Sequence, residues 1–345
     1  MRIVLVDPHV SYRPEEVHTT PLGGTETSFI HMAEALATRG HRVEVLLRSP
    51  AVEQHRGVLY SPWDKRESRK ADAVVVRWPG LLEGWRGSAP TRAWWCHRAI
   101  DTASLDDALR FRTYPILGSR WQAEQLRSRR WPLGFDVVPL GCRFLGRPRP
   151  EVVREPLTAL WASAIDRGLE AFLGVWRRAR RSFPAEGRLH VAGGARVYRE
   201  HGSYLEPLEK RLREDTRNDP GISWLGPLAP DALWTTLHQA GFLPYRAEIP
   251  ESFGLIVLEA QAAGCLPIVT PLGALRERVV HGKTGWVEEA GAFEARIVAH
   301  AATASEPSTT GMREAARAEA GKFTWEASAR RFEEALEKAR RATVF

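Results

Sequence analysis

The stretch ESFGLIVLEAQAAGCLPIV, residues 251–269, holds a loop, a helix and the start of a strand in quick succession. Pro250 fixes the approach, and ESFG reads as loop. A helix is expected from about Leu255 to Gly264, which suits the C-cap, and Cys265–Thr270 reads as a strand with Pro267 near its start. A helix that feeds directly into an apolar strand is one step of a parallel α/β sheet. Glu251 and Glu259 stand eight residues apart at the two ends of the apolar run. Gly254 at the helix start exposes backbone N–H groups and the positive end of the helix dipole, which suits a diphosphate. A carboxylate on either side can accept hydrogen bonds from sugar hydroxyls. Taken singly, Glu251 reads as a loop surface charge and Glu259 as an exposed helix residue.

The same step recurs outward in both directions. RIVLVD is a β-branched run ending at Asp7, and TETSFIHMAEALATRGHRVEVLL reads as helix, Gly40 stop and strand. ADAVVVRW, TRAWWCH and YPILGS come next as strands, RWQAEQLRSRR as a helix and FDVVPLG as a strand. The proline- and charge-rich RPRPEVVREP (147–156) reads as an interdomain linker. Beyond it the pattern restarts: LTALWAS, GRLHVAGG, ISWLG and GFLPY are strands, RGLEAFLGVWRRARRSF, SYLEPLEKRLRED and DALWTTLHQAG helices, and TWEASARRFEEALEKARRA a terminal amphipathic helix. Two α/β halves joined by one linker are expected to leave a cleft at the carboxyl ends of their strands, where such folds bind ligands.

The chain has 345 residues, 43% hydrophobic and 26% charged, which fits a globular protein of two domains. No apolar run approaches the roughly 18 residues that would span a bilayer, and MRIVLVDPHV is cut by Asp7 without a cleavage site, so a cytoplasmic protein is expected. Cys96, Cys142 and Cys265 are scattered, which argues against disulfides and zinc. Residues 1–150 hold 23 Lys and Arg against 16 Asp and Glu, so the net charge of +7 lies entirely in that half. An anionic partner fits there, either a phosphorylated acceptor or peripheral contact with an anionic membrane on its inner face; plain surface solvation is the other reading. Nucleic acid is not expected, for want of a recognised binding motif. Trp63, Trp78, Trp85, Trp94 and Trp95 crowd the same half, and aromatic faces suit sugar rings, a lipid interface or a core.

Gly23 and Gly24 lie between a strand and a helix start, where the backbone can approach a phosphate or form a simple tight turn. The dinucleotide fingerprint G-x-G-x-x-G is absent and the second strand ends at Arg48, which disfavours an NAD site. Asp106-Asp107 reads as a solvated helix face, and no Asp-x-Asp stands in a metal-binding context, so no metal is expected.

The spacing E-x-F-G-x-x-x-x-E resembles the signature of glycosyltransferase family 4, retaining enzymes of the GT-B fold. PLGGTETSFIHMAEALATRGHRVEV, ILGSRWQAEQLR, VVPLGC, the run WLGPLAPDALWTTLHQAGFLPYRAEIPESFGLIVLEAQAAGCLPIVT, GALRERVVHGKTGWV and FTWEASARRFEEAL resemble successive segments of that family. The resemblance implies that Glu251 holds the donor sugar's hydroxyls, that Phe253, Gly254 and Leu255 meet the sugar and phosphates, and that Glu259 binds the ribose. It also implies that Gly24, beside Gly23, approaches the diphosphate and that His97 lies near the transferred sugar. As a bare residue His97 reads as structural. Arg167 stands before Gly168 where the family has a lysine, and Ala162 and Ser163 occupy the region of a further arginine that is missing here. An arginine fork at 167 can grip two phosphate oxygens.

The resemblance implies an α/β, GT-B protein of two Rossmann-like domains facing a central cleft. Residues 1–147 would bind the acceptor, 148–325 the nucleotide-sugar donor, and 326–345 would form a helix returning to the first domain. The implied reaction is metal-independent transfer of a sugar, with retention, from a nucleotide-diphosphate sugar to the hydroxyl of a glycan, lipid-linked or small-molecule acceptor. Glu251, His97 and Arg167 would be catalytic, and no cofactor is expected beyond the nucleotide sugar as co-substrate. The alternatives are a catalytically impaired nucleotide-sugar-binding protein of the same fold, or a GT-B epimerase. A phosphorylase would need a pyridoxal lysine, and none of the six lysines has such a context.

Overall fold

The computed structural model describes residues 1–9, 11–48, 51–63, 70–83, 85–197 and 202–342; residues 343–345, expected in the last helix, lie outside them. The chain divides into two compact units, one of Met1–Val17, Leu22–Gly141 and Phe323–Phe345, the other of His18–Pro21 and Cys142–Lys322. The change at Gly141–Cys142 falls ahead of the stretch 147–156.

In chain order the first unit has β1 (Arg2–Asp7), the first half of α1 (Glu16–Thr19), α2 (Gly24–Thr38), β2 (Arg42–Leu47), β3 (Glu53–His55), β4 (Val58–Pro62), β5 (Ala73–Val76), β6 (Thr91–Cys96), α3 (Thr102–Arg110), β7 (Tyr114–Leu117), α4 (Arg120–Ser128) and β8 (Asp136–Val137). Among the described residues its strands lie in the order β3-β4-β2-β1-β5-β6-β7-β8. All neighbours are parallel except β3 and β4, an antiparallel hairpin closed by Arg56 and Gly57 at positive φ. The central strands read as unbroken apolar runs because both faces are covered: Ile3, Val4, Leu5, Val6, Val74, Val75 and Val76 have no exposed surface. Gly40 stands just past the end of α2 at φ 87°, as its place in the sequence requires.

The second unit continues with β9 (Glu155–Trp161), α5 (Leu169–Ala179), β10 (Arg188–Val191), α6 (Glu206–Thr216), β11 (Ile222–Trp224), α7 (Pro230–Gln239), β12 (Ala240–Tyr245), α8 (Leu255–Ala263), β13 (Leu266–Val269), α9 (Leu275–Arg278), β14 (Trp286–Val287), α10 (Phe293–Thr303) and α11 (Pro307–Ala320). Its parallel strands run β11-β10-β9-β12-β13-β14. The helix α12 (Trp325–Ala342) belongs to the first unit. There Phe332 meets Trp95 of β6 edge-on at 5.2 Å, and Glu333 takes a two-pronged ion pair from Arg39 at 2.6 and 2.8 Å.

One buried histidine of the second unit gives the fold a pH dependence. His300 of α10 is 1% exposed, between Phe242 and Trp286, and among the described residues neither ring nitrogen has a hydrogen-bond partner. Burial first, then the cations Arg313 and Arg296, push its pKa down to about 3. The unfolded chain, with an ordinary value of about 6.5, therefore binds a proton that the folded chain does not, and stability falls as pH drops below about 6.5. His300→Leu is expected to flatten the decline between about pH 5.5 and 4 by about 1.3 kcal/mol per pH unit, close to the full slope of one proton. Urea melts across that range are the check, and an unaltered slope would show that His300 titrates normally.

Candidate functional site

In the second unit the carboxyl ends of β9 and β12 and the start of α8 bring the candidates together. Beyond β9 the chain makes a 3-10 turn, Ile165–Arg167, and then Gly168 at φ 118° opens α5. A side chain at 168 would be strained by that φ and would overlap the Arg246 carbonyl oxygen beyond β12, so glycine is what lets the two loops lie against each other. The Glu248 N–H donates to the Arg167 carbonyl at 3.1 Å and ties them. Arg167 then reaches Glu251, with Nη1 2.6 Å from Oε1; their side chains are 34% and 14% exposed, so the pair stands at the surface of the site.

Glu251 is fixed by its backbone as well. Its carbonyl accepts from the Ala274 N–H at 2.8 Å, in a parallel bridge to Gly273. Gly254 comes next at φ 83°, a left-handed turn that starts α8 directly after Phe253. Phe253 is 3% exposed and carries the Arg278 guanidinium 4.5 Å above its ring. Gly254 and Leu255 thus open a helix whose N-terminal dipole lies one loop away from the Arg167–Glu251 pair.

Glu259 departs from the surface reading its isolated position suggests. It is 2% exposed and pairs with Arg143, itself 9% exposed in the side chain. Arg143 Nη2 donates to Oε2 at 3.3 Å, while Nε lies 2.8 Å from Oε1 as an ion pair whose N–H is not aimed at the oxygen. The Arg143 guanidinium also lies over Phe144 at 4.8 Å. Burial pushes the Glu259 carboxyl up and Arg143 pulls it back, leaving a net rise.

The first unit carries Gly23, Gly24 and His97. Gly23 caps α2 in an extended conformation, φ −62°, so its backbone demands no special freedom. The Thr27 N–H closes the first turn onto the Gly23 carbonyl at 3.0 Å, and Gly24 is exposed. His97, just beyond β6, is walled by Trp95 and Phe29, with centroids at 4.4 and 5.3 Å. That desolvation, and then the charge of Arg77, hold its pKa well below the usual value, so the imidazole is neutral. The same unit contains a charged cluster that sequence reading did not single out: Arg77 Nη1 lies 2.9 Å from Asp7 Oδ1 and 3.1 Å from Glu26 Oε1. Trp94 and Trp95 are 2% and 0% exposed and belong to the core, which removes them from any sugar-binding face. Trp63 and Trp85 stack at 5.9 Å and pack, with Trp78, partly buried against the β1–β5 core. Among the described residues no helix is long and apolar enough to cross a membrane.

Residues 157–303 match the family model described as glycosyl transferases group 1. A D-inositol 3-phosphate glycosyltransferase of Rhodococcus jostii is 35% identical over 230 residues, 66% of this chain and 46% of that protein. One of Corynebacterium urealyticum is 33% identical over 100 residues, 28% of this chain and 22% of the relative. The chain thus spans less than half the length of these curated relatives. Among solved structures, sucrose-phosphate synthase of Thermosynechococcus elongatus superposes with a TM-score of 0.74 at 17% identity, over 96% of this chain and 97% of that one. Anabaena HepE, solved with UDP and glucose, gives 0.75 at 15% identity over 98% and 99%. With two parallel-sheet α/β units of GT-B type, and this match within the second, residues 157–303 are identified as a group 1 glycosyl transferase segment.

Proposed function

We propose that the chain moves a sugar from a nucleotide-diphosphate donor to an acceptor hydroxyl with retained configuration, and that the second unit holds the donor. The observation that carries this reading is the Arg167–Glu251 pair, 2.6 Å apart, set just before the start of α8. A guanidinium beside a helix N-terminus suits a diphosphate, and a carboxylate beside it suits sugar hydroxyls. In this reading Glu251 holds the sugar, Phe253, Gly254 and Leu255 offer backbone to sugar and phosphate, and Glu259 accepts from the ribose. Glu259 can do so while paired with Arg143, because a carboxylate has about four lone-pair sites. Gly23, Gly24 and His97 keep the donor-side roles that the family resemblance gives them. Arg167 and the α8 N-terminus stabilise the departing diphosphate in place of a metal ion, and that diphosphate helps to take the acceptor's proton.

UDP-glucose is the first donor to try, given the ligands of HepE, and a phosphorylated polyol such as inositol 3-phosphate the first acceptor, given the relatives' name. A phosphorylated acceptor also fits the charge of residues 1–150. Release of nucleoside diphosphate with and without acceptor tests the reading. Acceptor-dependent release marks a transferase, binding without release marks an impaired donor-binding protein, and the anomeric NMR signal of the product reports the stereochemistry.

If an anionic acceptor meets the basic half, its KM is expected to rise several-fold between about 50 and 300 mM salt, since the Debye length shrinks from roughly 14 to 6 Å. Donor KM changes less. A flat acceptor response would make the basic half a solvated surface and point to a neutral acceptor.

A further inference from the structure

Glu251 is not held by Arg167 alone. Tyr245, the last residue of β12, donates its phenolic O–H to the same oxygen, Oε1, and Ser163 Oγ donates to the Tyr245 oxygen at 3.1 Å. Ser163 is fixed in turn. Trp161 Nε1 donates to its carbonyl at 3.2 Å, and Gly193 lies so near that a Cβ there would stand 2.6 Å from that carbonyl oxygen. The Tyr245 ring is 1% exposed and stands edge-on to Trp161 at 5.5 Å. Burial, and then the Glu251 carboxylate, hold its pKa well above the usual value, so the hydroxyl keeps its proton and can donate it to Glu251.

The two oxygens of Glu251 are therefore unlike. Oε1 receives Arg167 Nη1 and Tyr245 Oη, whereas Oε2 receives no hydrogen bond among the described residues. Ser163 also lies in the region where the family resemblance expects an arginine and this chain has none. A pair of hydroxyls borne by β12 and the loop after β9 thus steadies the carboxylate there.

We infer that Tyr245, steadied by Ser163, is a positioning residue that commits Oε1 of Glu251 to the protein and leaves Oε2 as the acceptor for one donor-sugar hydroxyl. This rests on the reading of Glu251 as the residue that holds the sugar. A carboxylate oxygen only accepts, so the donor must present a free hydroxyl there, and a sugar deoxygenated or O-alkylated at that carbon loses the contact. Selectivity against such analogues depends on how firmly Glu251 is oriented, because a loose carboxylate can turn its other oxygen or admit water.

The test uses the full chain and whichever of UDP-, GDP- and ADP-glucose the wild type consumes fastest. Tyr245→Phe keeps the ring and removes one hydrogen bond to a charged group, so donor kcat/KM is expected to fall about tenfold, mostly through KM, with little change in Tm. Discrimination against the deoxy donor shrinks with it. The double variant Tyr245→Phe/Glu251→Gln is expected to be no worse than Glu251→Gln alone, because Tyr245 acts through Glu251. Should Tyr245→Phe lose its fold, Ser163→Ala leaves the ring in place and is expected to cost about threefold in the same parameter. Wild-type kcat/KM in the folded single variants, or losses that multiply in the double variant, would overturn the inference. If Glu251→Gln itself left kcat/KM unchanged, the reading of Glu251 would fail, and this inference with it.

Discussion

Arg167→Ala is expected to lower turnover about 10²–10³-fold, the size of losing one preorganised charge at a site where negative charge develops. The side chain is 34% exposed and hangs from a turn that Gly168 and the Glu248 N–H hold in place, so its removal leaves the backbone supported. Two losses combine. The departing diphosphate loses a guanidinium, and Glu251 loses a cation 2.6 Å from Oε1. Arg167→Lys restores the charge without the planar fork, so it is expected to recover part of the rate. Single-turnover release of nucleoside diphosphate, with Tm measured alongside, checks both variants. Wild-type turnover in Arg167→Ala would remove the residue from the chemistry.

Glu259→Ala is expected to act first on stability, by about 3–5 kcal/mol, before any effect on the donor can be read. Glu259 and the Arg143 side chain are 2% and 9% exposed, so deleting the carboxylate strands a guanidinium in the interior. Arg143→Ala is expected to be as costly for the converse reason. Replacing both with apolar residues of similar volume, Arg143→Met with Glu259→Leu, is expected to regain most of the loss, since a buried pair and a well-packed apolar pair are often of comparable stability. The double variant separates the roles, because a ribose-binding Glu259 predicts weak nucleotide affinity in a protein that is again stable. Urea melts give the first quantity and calorimetric titration with a nucleoside diphosphate the second. Wild-type affinity in the stable double variant would leave Glu259 a purely structural residue.

The stretch around Glu251 is legible in sequence because punctuation marks it. Gly254 and Gly264 take the positive φ values that end loops and helices, and Pro267 sits at the strand start. The hairpin β3–β4 is not. Glu53–His55 has three polar residues, Gln54 exposed between two half-covered neighbours, and no apolar alternation, and its one signal is the Arg56-Gly57 turn. The helix α11 also escapes a reading by apolar period. On α11 the buried side is Thr309, Arg313, Ala316 and Ala320, and Arg313 is buried because it donates to the Gly241 and Gly264 carbonyls at 2.7 and 2.8 Å.

In the candidate site, Arg143 lies 116 residues from Glu259 and Ser163 lies 82 from Tyr245, so no local pattern links them. The Asp7–Arg77–Glu26 cluster of the first unit has the same character. Each residue alone reads as a strand end or a helix-start charge, and only the parallel pairing of β1 with β5 brings Asp7 and Arg77 together. Spacing within one element can be read from sequence; ion pairs formed across a sheet cannot.

Sugar transfer through Glu251 is tested most directly by nucleoside diphosphate release from UDP-, GDP- and ADP-glucose with inositol 3-phosphate and neutral polyols as acceptors, wild type against Glu251→Gln. One donor is expected to be consumed in an acceptor-dependent way by the wild type, with the rate falling at least about tenfold in Glu251→Gln while Tm is kept. No consumption of any donor, together with no rise in Tm at millimolar concentrations of any of them, would contradict a donor site in this chain.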